Sequence, residues 1–272
     1  MRFDFHLHTT YSDGTLAPAQ LLAEIKAREI KIFAITDHDS MRVHINPNGN
    51  EPKGDSLAMI PGVEINTNAM GESLHILGYG RGLADNQPFQ EKLRSFREGR
   101  RKRAGLFVEK LRFLGFDITM EEVEAHAQET IGRPTIADTL RDKGVVKNRE
   151  EAFARFLLKG KPAYVPPLGP DPRQAIETIV SAGGVAVLAH PGVARMDDDK
   201  LADLVGFGLG GIEAYYPMHR DSQVRDYLAA ARQYDLLVTC GSDFHGPRSG
   251  RDEWRAFDFE ERMFEKFLKV VG

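Results

Sequence analysis

The sequence predicts an α/β fold with about seven mostly parallel strands and one helical insertion, on three observations. Segments with strand and helix patterns alternate over most of the 272 residues, at the spacing of βαβ units. Residues 185–189 are apolar on both faces, as parallel strands between helices must be. Short histidine motifs recur where the predicted strands end, which is the rim where active sites form in a (β/α) barrel.

The strands and the helices between them are predicted from local patterns. A helix over residues 18–28 has Pro18 in its first turn and aliphatic side chains on one face. Another helix begins at Asp171 and Pro172, with Asp as the capping residue and Pro at the first helical position. The seven predicted strands cover residues 3–8, 31–36, 57–65, 73–79, 185–189, 211–216 and 236–241.

Residues 85–164 break the alternation, because they contain only helical patterns. Thr119 with Glu122 predicts a capping box at the start of one helix, and Asn148 predicts the start of another that ends at Gly160. We therefore predict three parts: barrel residues 1–84, a helical cap domain over residues 85–164 that covers the rim, and barrel residues 165–272.

Residues 40–55 are polar and contain two prolines and two glycines. A crossover helix is expected between two parallel strands at this place, but the segment has no helical periodicity. We predict a long loop there.

Composition and charge exclude several classes of protein. Hydrophobic residues make up 42% and charged residues 28%, which is typical of a globular protein with an apolar core. The net charge of −4 gives no general attraction to nucleic acid or anionic membranes. No apolar run approaches the roughly 20 residues that span a bilayer, and the first residues lack the apolar region of a secretory signal. We expect a cytoplasmic protein with no membrane association and no obligate protein partner, and we expect Cys240 to be a buried thiol.

Six of the nine histidines lie at predicted strand ends, beside three carboxylates. His6 and His8 are two apart on one strand, so their side chains point to the same face, and Asp243 and His245 repeat that spacing. Imidazole and carboxylate are ligands of divalent metals, and the carboxylate of Glu64 can bridge two ions. The nine candidate ligands are His6, His8, Asp13, His38, Glu64, His75, His190, Asp243 and His245.

Each motif also has a simpler explanation when it is taken alone. A His-x-His pair occurs by chance, and Asp37-His38-Asp39 suits an ordinary turn. His75 suits a core histidine in an apolar strand, and His190-Pro191 suits a turn that ends a strand. Their joint occurrence at the strand ends of one alternating fold favours a metal cluster.

Taken together, the motifs resemble those of the PHP (polymerase and histidinol phosphatase) family. The resemblance covers residues 1–80 and 184–246 and implies a distorted seven-stranded (β/α)7 barrel, which agrees with the strand count. The motifs are His6-Leu-His8-Thr-x-x-Ser12-Asp13-Gly14, Ile35-Thr-Asp-His38-Asp39, Pro61-Gly-Val-Glu64, His75, Ala189-His190-Pro191 and Gly241-Ser-Asp243-Phe-His245.

The resemblance implies a trinuclear metal centre in which the nine residues are shared among three ions. The first ion takes His6, His8, Glu64 and Asp243, the second takes Glu64, His75 and His190, and the third takes Asp13, His38 and His245. The family commonly uses manganese, zinc or iron, and these ligand types do not choose between them. We therefore expect two to three divalent ions.

Neighbouring divalent ions suit the hydrolysis of a phosphoester. The nucleophile that we expect is a hydroxide bridging two metals, because metal binding lowers the pKa of water to about 7. The ions also neutralise the phosphoryl oxygens, so no Ser, Cys or Asp nucleophile is required. Hydrolysis of an amide or lactam by the same hydroxide is the alternative, but three ions favour phosphate because it carries more charge.

Basic residues near the insertion are candidates for binding the substrate. Arg133 lies at the start of a predicted helix, where the helix N-terminus and the guanidinium both attract phosphate, although a solvent-facing side chain is the alternative. Arg100 and Arg103 lie one turn apart in a basic run, for which a solvated helix face is the commoner explanation. Lys161 lies where the chain returns to the predicted barrel.

Three histidines are not candidate metal ligands. His219 follows the strand over residues 211–216, and it is a candidate general acid for the leaving group or a phosphate ligand. His44 and His126 have no such setting, and we predict that both lie at the surface.

With these basic residues and His219, the chain resembles the PHP subfamily that contains nucleoside 3′,5′-bisphosphate phosphatases and 5′-3′ exoribonucleases. The resemblance implies that the substrate is a small phosphorylated nucleotide. Adenosine 3′,5′-bisphosphate would lose its 3′-phosphate, giving AMP and phosphate, while the basic residues hold its 5′-phosphate. The segment after Asp39 departs from the family, because it lacks the expected helix.

Other functions stay open from the residues alone. A 5′-3′ exoribonuclease acting on short 5′-phosphorylated RNA needs aromatic surfaces for stacked bases, and Tyr164, Tyr215 and Tyr216 are candidates. Histidinol phosphate phosphatase activity is less favoured because histidinol phosphate needs no second anion site. Amidohydrolase activity is less favoured because three metal ions suit phosphate, which carries more charge than an amide. A non-catalytic PHP module is disfavoured because all nine ligand positions are filled.

Overall fold

The computed structural model describes residues 1–45, 57–69, 72–194 and 196–272, with only the backbone of Glu72 and Glu261. Eight strands form one barrel-shaped sheet that is nearly closed, in the order β7-β6-β5-β4-β3-β2-β1-β8. The strands are β1 (Arg2–Leu7), β2 (Ile30–Ile35), β3 (Ala58–Ala69), β4 (Glu72–Tyr79), β5 (Val185–Leu188), β6 (Gly211–Tyr215), β7 (Leu237–Cys240) and β8 (Phe257–Asp258).

The sheet is mostly parallel, as predicted, but β4 runs against both of its neighbours. Strands β1, β2 and β3 are parallel to one another, and so are β5, β6 and β7. Strand β4 is antiparallel to β3 and to β5, because the two residues between β3 and β4 are far too few for a parallel crossover. The eighth strand, β8, pairs antiparallel with β1 and was not predicted, because its two residues carry no alternation.

The carboxyl ends of β1 and β7 meet, which nearly closes the barrel. The backbone N–H of His8 donates to Phe244 O at 3.1 Å, and the N–H of Asp243 donates to His6 O at 2.9 Å. Leu7 and Phe244 form a parallel bridge. Residues about as far apart in sequence as the chain allows are therefore neighbours at this rim.

Ten α-helices are described, and most of them surround the sheet or form the insertion. None of these helices is long and apolar enough to cross a membrane. They are α1 (Pro18–Ala27), α2 (Arg42–Ile45), α3 (Gln87–Phe113), α4 (Met120–Glu124), α5 (Arg133–Asp142), α6 (Arg149–Ala152), α7 (Pro172–Ser181), α8 (Asp198–Gly206), α9 (Asp221–Gln233) and α10 (Glu265–Val271).

The insertion is helical, as its sequence pattern predicts. Helix α4 begins with the predicted capping box of Thr119 and Glu122, and the side chain of Asn148 caps α6. A π-helical turn, Phe153–Leu157, continues α6 and ends before the predicted Gly160.

Helix α3 belongs to two hydrophobic cores. Its first turns place Phe89 and Leu93 in the core that also contains Ile176 of α7, whereas Phe107 and Leu111 lie in a separate core formed by the other helices of the insertion. The division of the chain at residues 84 and 164 stays a prediction.

Part of the predicted loop over residues 40–55 is helical, because α2 forms one turn there. From residue 46 to residue 55 the predicted loop lies outside the described residues. The prediction that His44 lies at the surface is wrong: the ring is half-buried, and its Nε2 lies 2.9 Å from Ile35 O and 3.3 Å from the backbone N of Gly62. His126 is also half-buried, with Nε2 3.4 Å from Asp142 Oδ2.

Candidate metal centre

All nine predicted ligands lie at one rim of the sheet. Most of them follow the carboxyl ends of parallel strands, in the loops after β1, β2, β5 and β7. The prediction that every motif ends a strand is wrong for His75, which lies in the first half of β4. Since β4 runs antiparallel to its neighbours, its first half reaches the same rim.

Eight of the nine side chains form three overlapping groups of possible ligand atoms. Within each group the atoms lie within 4.8 Å of one another. His190 adjoins the last group: its Nε2 lies 3.2 Å from Glu64 Oε1, and His75 Nδ1 lies 2.6 Å from the same oxygen. The groups are His6, His8, Glu64 and Asp243; His8, Asp13, His38 and His245; and His38, Glu64 and His75.

Many of these ligand atoms are buried and have no hydrogen-bond partner among the described residues. A buried polar atom without a partner costs about 1–3 kcal/mol, so a concentration of them at one place indicates a ligand-binding site. Imidazole and carboxylate atoms in such a group fit divalent manganese, zinc or iron. The atoms are His6 Nε2, His8 Nε2, Asp13 Oδ1, His38 Nδ1, Glu64 Oε2, His190 Nδ1 and Asp243 Oδ1.

The ionisation of the carboxylates and of two imidazoles suits metal binding, whereas neighbouring carboxylates outweigh burial and raise the pKa of His6 and of His8, the latter to about 9. Burial raises the pKa of the Glu64 carboxyl, but the rings of His75 and His6 outweigh burial and hold the pKa well below its usual range. Burial lowers the pKa of His75 and of His245. A deprotonated carboxylate beside neutral imidazoles is the state that binds a divalent ion.

Backbone strain is concentrated at this rim. Asp39, His190 and Asp243 have positive φ angles of 50°, 28° and 55°. Non-glycine residues rarely adopt such angles, which cost on the order of 1–3 kcal/mol and are typical of functional sites. At His190 and Asp243 the turn brings a candidate ligand off its strand and into the cluster.

Two buried carboxylates that the sequence analysis did not single out hold the ligands in place. Glu213 of β6 accepts from His6 Nδ1 at 3.0 Å and from the backbone N–H of His190 at 2.8 Å. Asp4 of β1 accepts from the N–H and hydroxyl of Ser242, and burial raises the pKa of its carboxyl to about 6. Both could have been identified from the sequence, because each is a carboxylate inside an otherwise apolar strand.

A third buried carboxylate, Asp37, organises the loop that carries Asp13. It accepts from the N–H of Thr9 at 2.8 Å, from the Thr9 hydroxyl at 2.6 Å and from the Ser12 hydroxyl at 2.7 Å. The loop is therefore fixed to the end of β2 by three hydrogen bonds.

A pocket of about 260 Å³ opens beside the ligand cluster and is lined by five arginines. Arg100, Arg103 and Arg133 were predicted from the sequence, whereas Arg149 and Arg251 were not. No short motif marks those two, since each becomes part of the site only through the tertiary fold. Besides the arginines, the pocket is lined by Asp13, His38, Asn66, His75, Gly132, Pro134, Glu150, Phe153, His245, Ser249 and Gly250.

The three predicted arginines carry more positive charge than nearby carboxylates offset. Arg100 pairs with Asp39, but its Nη2 is buried without a hydrogen-bond partner. Arg103 donates to Val165 O at 2.7 Å, and burial, with Arg133 and Arg100 nearby, lowers its pKa to about 9. Burial likewise lowers the pKa of Arg133. Such a group is suited to binding an anion.

Arg251 lies directly beside a candidate ligand. Its Nη1 donates to Asp243 Oδ2, while Asp243 Oδ1 faces His8 Nε2 at 3.3 Å. The guanidinium keeps contact with the pocket, because 43% of the side chain is exposed.

Two predicted substrate-site residues lie elsewhere. Lys161 is exposed and does not line the pocket, so the expectation that it reaches the rim is not met. His219 donates from Nδ1 to Ala214 O at 2.9 Å and accepts at Nε2 from the N–H of Gly192 at 3.1 Å. Burial lowers the pKa of His219, and backbone groups engage both of its ring nitrogens.

The aromatic side chains that were candidates for base stacking do not line the pocket. Tyr215 packs against Phe259 with the rings 4.6 Å apart. Tyr216 is buried against His190, with its hydroxyl 3.4 Å from Asp243 Oδ2. The aromatic residue in the pocket lining is Phe153, whose ring has the Arg133 guanidinium 5.3 Å from its centre.

Comparison with known proteins identifies the family. A model of the PHP domain matches residues 4–132. The chain is 34% identical over 264 residues to the 5′-3′ exoribonuclease Rnm of Escherichia coli K12, covering 93% of this chain and 89% of the relative. It is 32% identical over 258 residues to the 3′,5′-nucleoside bisphosphate phosphatase of Chromobacterium violaceum, covering 92% and 89%.

A solved structure agrees with these relatives. A protein from Bifidobacterium adolescentis, assigned as a metal-dependent phosphoesterase, superimposes with a TM-score of 0.88 at 30% identity. The superposition covers 99% of this chain and 96% of that one. The chain therefore belongs to the PHP family and is a metal-dependent phosphoesterase.

Proposed function

We propose that the protein removes the 3′-phosphate of a nucleoside 3′,5′-bisphosphate and releases a nucleoside 5′-monophosphate and phosphate. The observation that carries the proposal is one pocket that joins the ligand cluster to an arginine group. The cluster suits the phosphate that is cleaved, and the arginines suit a second phosphate that is only bound. A substrate with two phosphates binds to both the ligand cluster and the arginine group.

We further propose that the nine clustered residues hold two to three divalent ions in the sets that the family resemblance implies. Six unpartnered atoms that face the cluster support this assignment, and Nδ1 of His190 is also buried without a partner among the described residues. When bound, the ions activate water and neutralise the phosphoryl oxygens.

The side chains around the cluster keep the ligands oriented. Glu213 holds the ring of His6, so that Nε2 of this ring is directed to the centre. Arg251 holds Oδ2 of Asp243 and presents its exposed edge to the pocket, where it suits a phosphoryl oxygen. His219 serves as a positioning residue in this proposal, because it binds the backbone of the turn after His190.

The second phosphate is assigned to Arg100, Arg103 and Arg133. Nη2 of Arg100 is buried without a hydrogen-bond partner, and Arg103 lies close enough to Arg133 and Arg100 for their charges to lower its pKa, so an anion bound here would be stabilised. These residues lie on α3 and α5. The segment over residues 85–164 therefore acts as a cap that supplies substrate specificity.

A 5′-3′ exoribonuclease acting on short RNA is the second candidate. It is favoured by relatives named for that activity, one of which is 34% identical. Phe153 in the pocket lining offers one stacking surface. The three tyrosines that would extend such a surface do not line the pocket, so the small nucleotide is the better fit.

The experiment is a pair of assays with added Mn²⁺. One follows phosphate release from adenosine 3′,5′-bisphosphate, and the other follows mononucleotide release from a 5′-phosphorylated RNA tetramer. The proposal expects AMP and phosphate from the first substrate at a kcat/KM at least tenfold above that for the tetramer. Efficient stepwise degradation of the tetramer with slow bisphosphate hydrolysis would replace it with the exoribonuclease.

A further inference from the structure

We propose that the helical segment over residues 85–164 sets the position of Asp13, and that Arg149 is the positioning residue through which it does so. The inference rests on the proposed metal centre. The position of one group of ligands, Asp13 with His38 and His245, then depends on how this segment packs against the barrel. The segment itself contributes none of the nine ligands.

Arg149 links the segment to the loop of Asp13. It lies in the first turn of α6, and its side chain is only 8% exposed. Its Nη1 donates to the backbone oxygen of Asp13 at 3.1 Å. Its Nη2 and Nε donate to the carboxylate of Asp138 on α5, at 2.6 Å and 3.1 Å. The guanidinium is thus held by α5 while it holds Asp13.

Asp138 is bound by two arginines that differ in exposure and in their second partner. Arg141 also donates to its carboxylate, at 2.6 Å, but the Arg141 side chain is 38% exposed. Arg141 donates to Asp138 and Asp142, whereas Arg149 donates to Asp138 and to the backbone oxygen of Asp13. The chain therefore contains its own control for the loss of an ion pair to Asp138.

A second contact joins the same segment to the same ligand group. The N–H of Thr130 donates to Tyr11 O at 3.1 Å, in the loop that leads to Asp13. The hydroxyl of Thr130 donates to His38 O at 2.7 Å. The segment therefore holds the main chain of both ligand loops.

Other ligands are held by the sheet itself. His6 and Glu64 lie within β1 and β3, and Glu213 of β6 fixes the ring of His6. Loss of the segment's contacts thus disturbs the group of Asp13 first. Residues that orient metal ligands typically change the affinity for the metal by about 10- to 100-fold when they are replaced.

The test compares Arg149→Gln with Arg141→Gln in a Mn²⁺ titration of the metal-free protein, with free Mn²⁺ measured by electron paramagnetic resonance. We expect Arg149→Gln to weaken the weakest bound Mn²⁺ by at least tenfold and to leave the tightest within twofold. We expect Arg141→Gln to leave every class of site within twofold of the unmodified protein. Circular dichroism and urea unfolding monitor the fold of both variants.

Arg149→Lys covers the case in which Arg149→Gln does not fold, because it keeps the charge but cannot bind Asp138 and Asp13 in the same fork. It is expected to show the same selective weakening. Equal Mn²⁺ binding by the folded Arg149 variant and the unmodified protein would overturn the inference alone. Equal weakening in the Arg141 variant would also overturn it, because it would assign the effect to Asp138. An unmodified protein that binds no Mn²⁺ would instead overturn the proposed metal centre.

Discussion

The orientation of each imidazole decides which of its nitrogens is left for an ion. Glu213 accepts from His6 Nδ1 at 3.0 Å, and His245 Nδ1 donates to the backbone oxygen of Asp243 at 2.7 Å. His8 Nδ1 lies 3.3 Å from the Ser12 hydroxyl. In all three rings Nε2 is consequently left facing the carboxylates of the cluster.

Replacing a central ligand tests the cluster one residue at a time. We expect His8→Ala and Asp243→Ala each to lower metal content and phosphoesterase activity together, the activity by at least 100-fold, because both side chains face two other ligands. Metal analysis and kinetics on the same preparation measure this. His126→Ala, which changes a histidine outside the cluster, is the control and should retain both. Full activity in either ligand variant would contradict the assignment.

Arg133 tests the second phosphate site. We expect Arg133→Ala to raise KM more than tenfold for substrates with a 5′-phosphate, because they lose a charged hydrogen-bond donor. KM should change little for substrates without a 5′-phosphate, because Arg133 has no phosphate to bind in them. Steady-state kinetics on adenosine 3′,5′-bisphosphate and adenosine 3′-monophosphate give the comparison. Arg101→Ala, an exposed arginine of the same basic run, is the control. Equal effects on the two substrates would remove Arg133 from this role.

Arg251 is expected to act on the cleaved phosphate. Arg251→Gln should lower kcat by about 100-fold, which is the usual cost of removing one donor to developing negative charge. Metal content should persist, since Asp243 keeps Oδ1 for the cluster. The control is Arg248→Gln, an exposed arginine in the same loop. A kcat within twofold of the unmodified protein would show that Arg251 has no such contact.

The ligand types were predictable because each belongs to a short local motif, such as His6-Leu-His8. Arg149 and Arg251 were not, because a single arginine carries no pattern and enters the pocket only through tertiary contacts. His219 shows the converse. Its place after a strand suggested chemistry, but backbone groups occupy both of its ring nitrogens.

At the scale of the elements, the direction of β4 explains how His75 reaches the rim. The hairpin to β3 has only two residues between strands, so β4 must run antiparallel. The sequence predicted both strands but not this reversal, because strand periodicity is the same in either direction. The alternation of strands and helices elsewhere predicted the parallel pairs correctly.

Glu213 connects two elements of the centre, since it binds His6 on β1 and the backbone of His190 after β5. We expect Glu213→Gln to reduce Mn²⁺ affinity by about 10- to 100-fold while the fold persists, because an amide holds an imidazole less firmly than a carboxylate. Isothermal titration with Mn²⁺ measures the change, with Glu177→Gln on α7 as an exposed control. Unchanged affinity would show that the sheet alone orients His6.

At the scale of the whole molecule, the barrel and the helical segment contribute different chemistry to one pocket. The barrel supplies the nine candidate ligands, and the segment supplies Arg100, Arg103, Arg133 and Arg149. The protein therefore contains a locally positive site although its net charge is −4. The sequence predicted the nine ligands and three of these four arginines but not their spacing, which depends on how α3 packs between the two cores.

The central claim is that the nine residues hold divalent ions beside an arginine-lined pocket. The most direct test is a crystal structure of the protein grown with Mn²⁺, with anomalous scattering recorded near the manganese absorption edge. The account predicts two or three anomalous peaks, each within bonding distance of ligand atoms from the nine residues. Peaks located only elsewhere, or none at this rim in a protein that remains active, would contradict it.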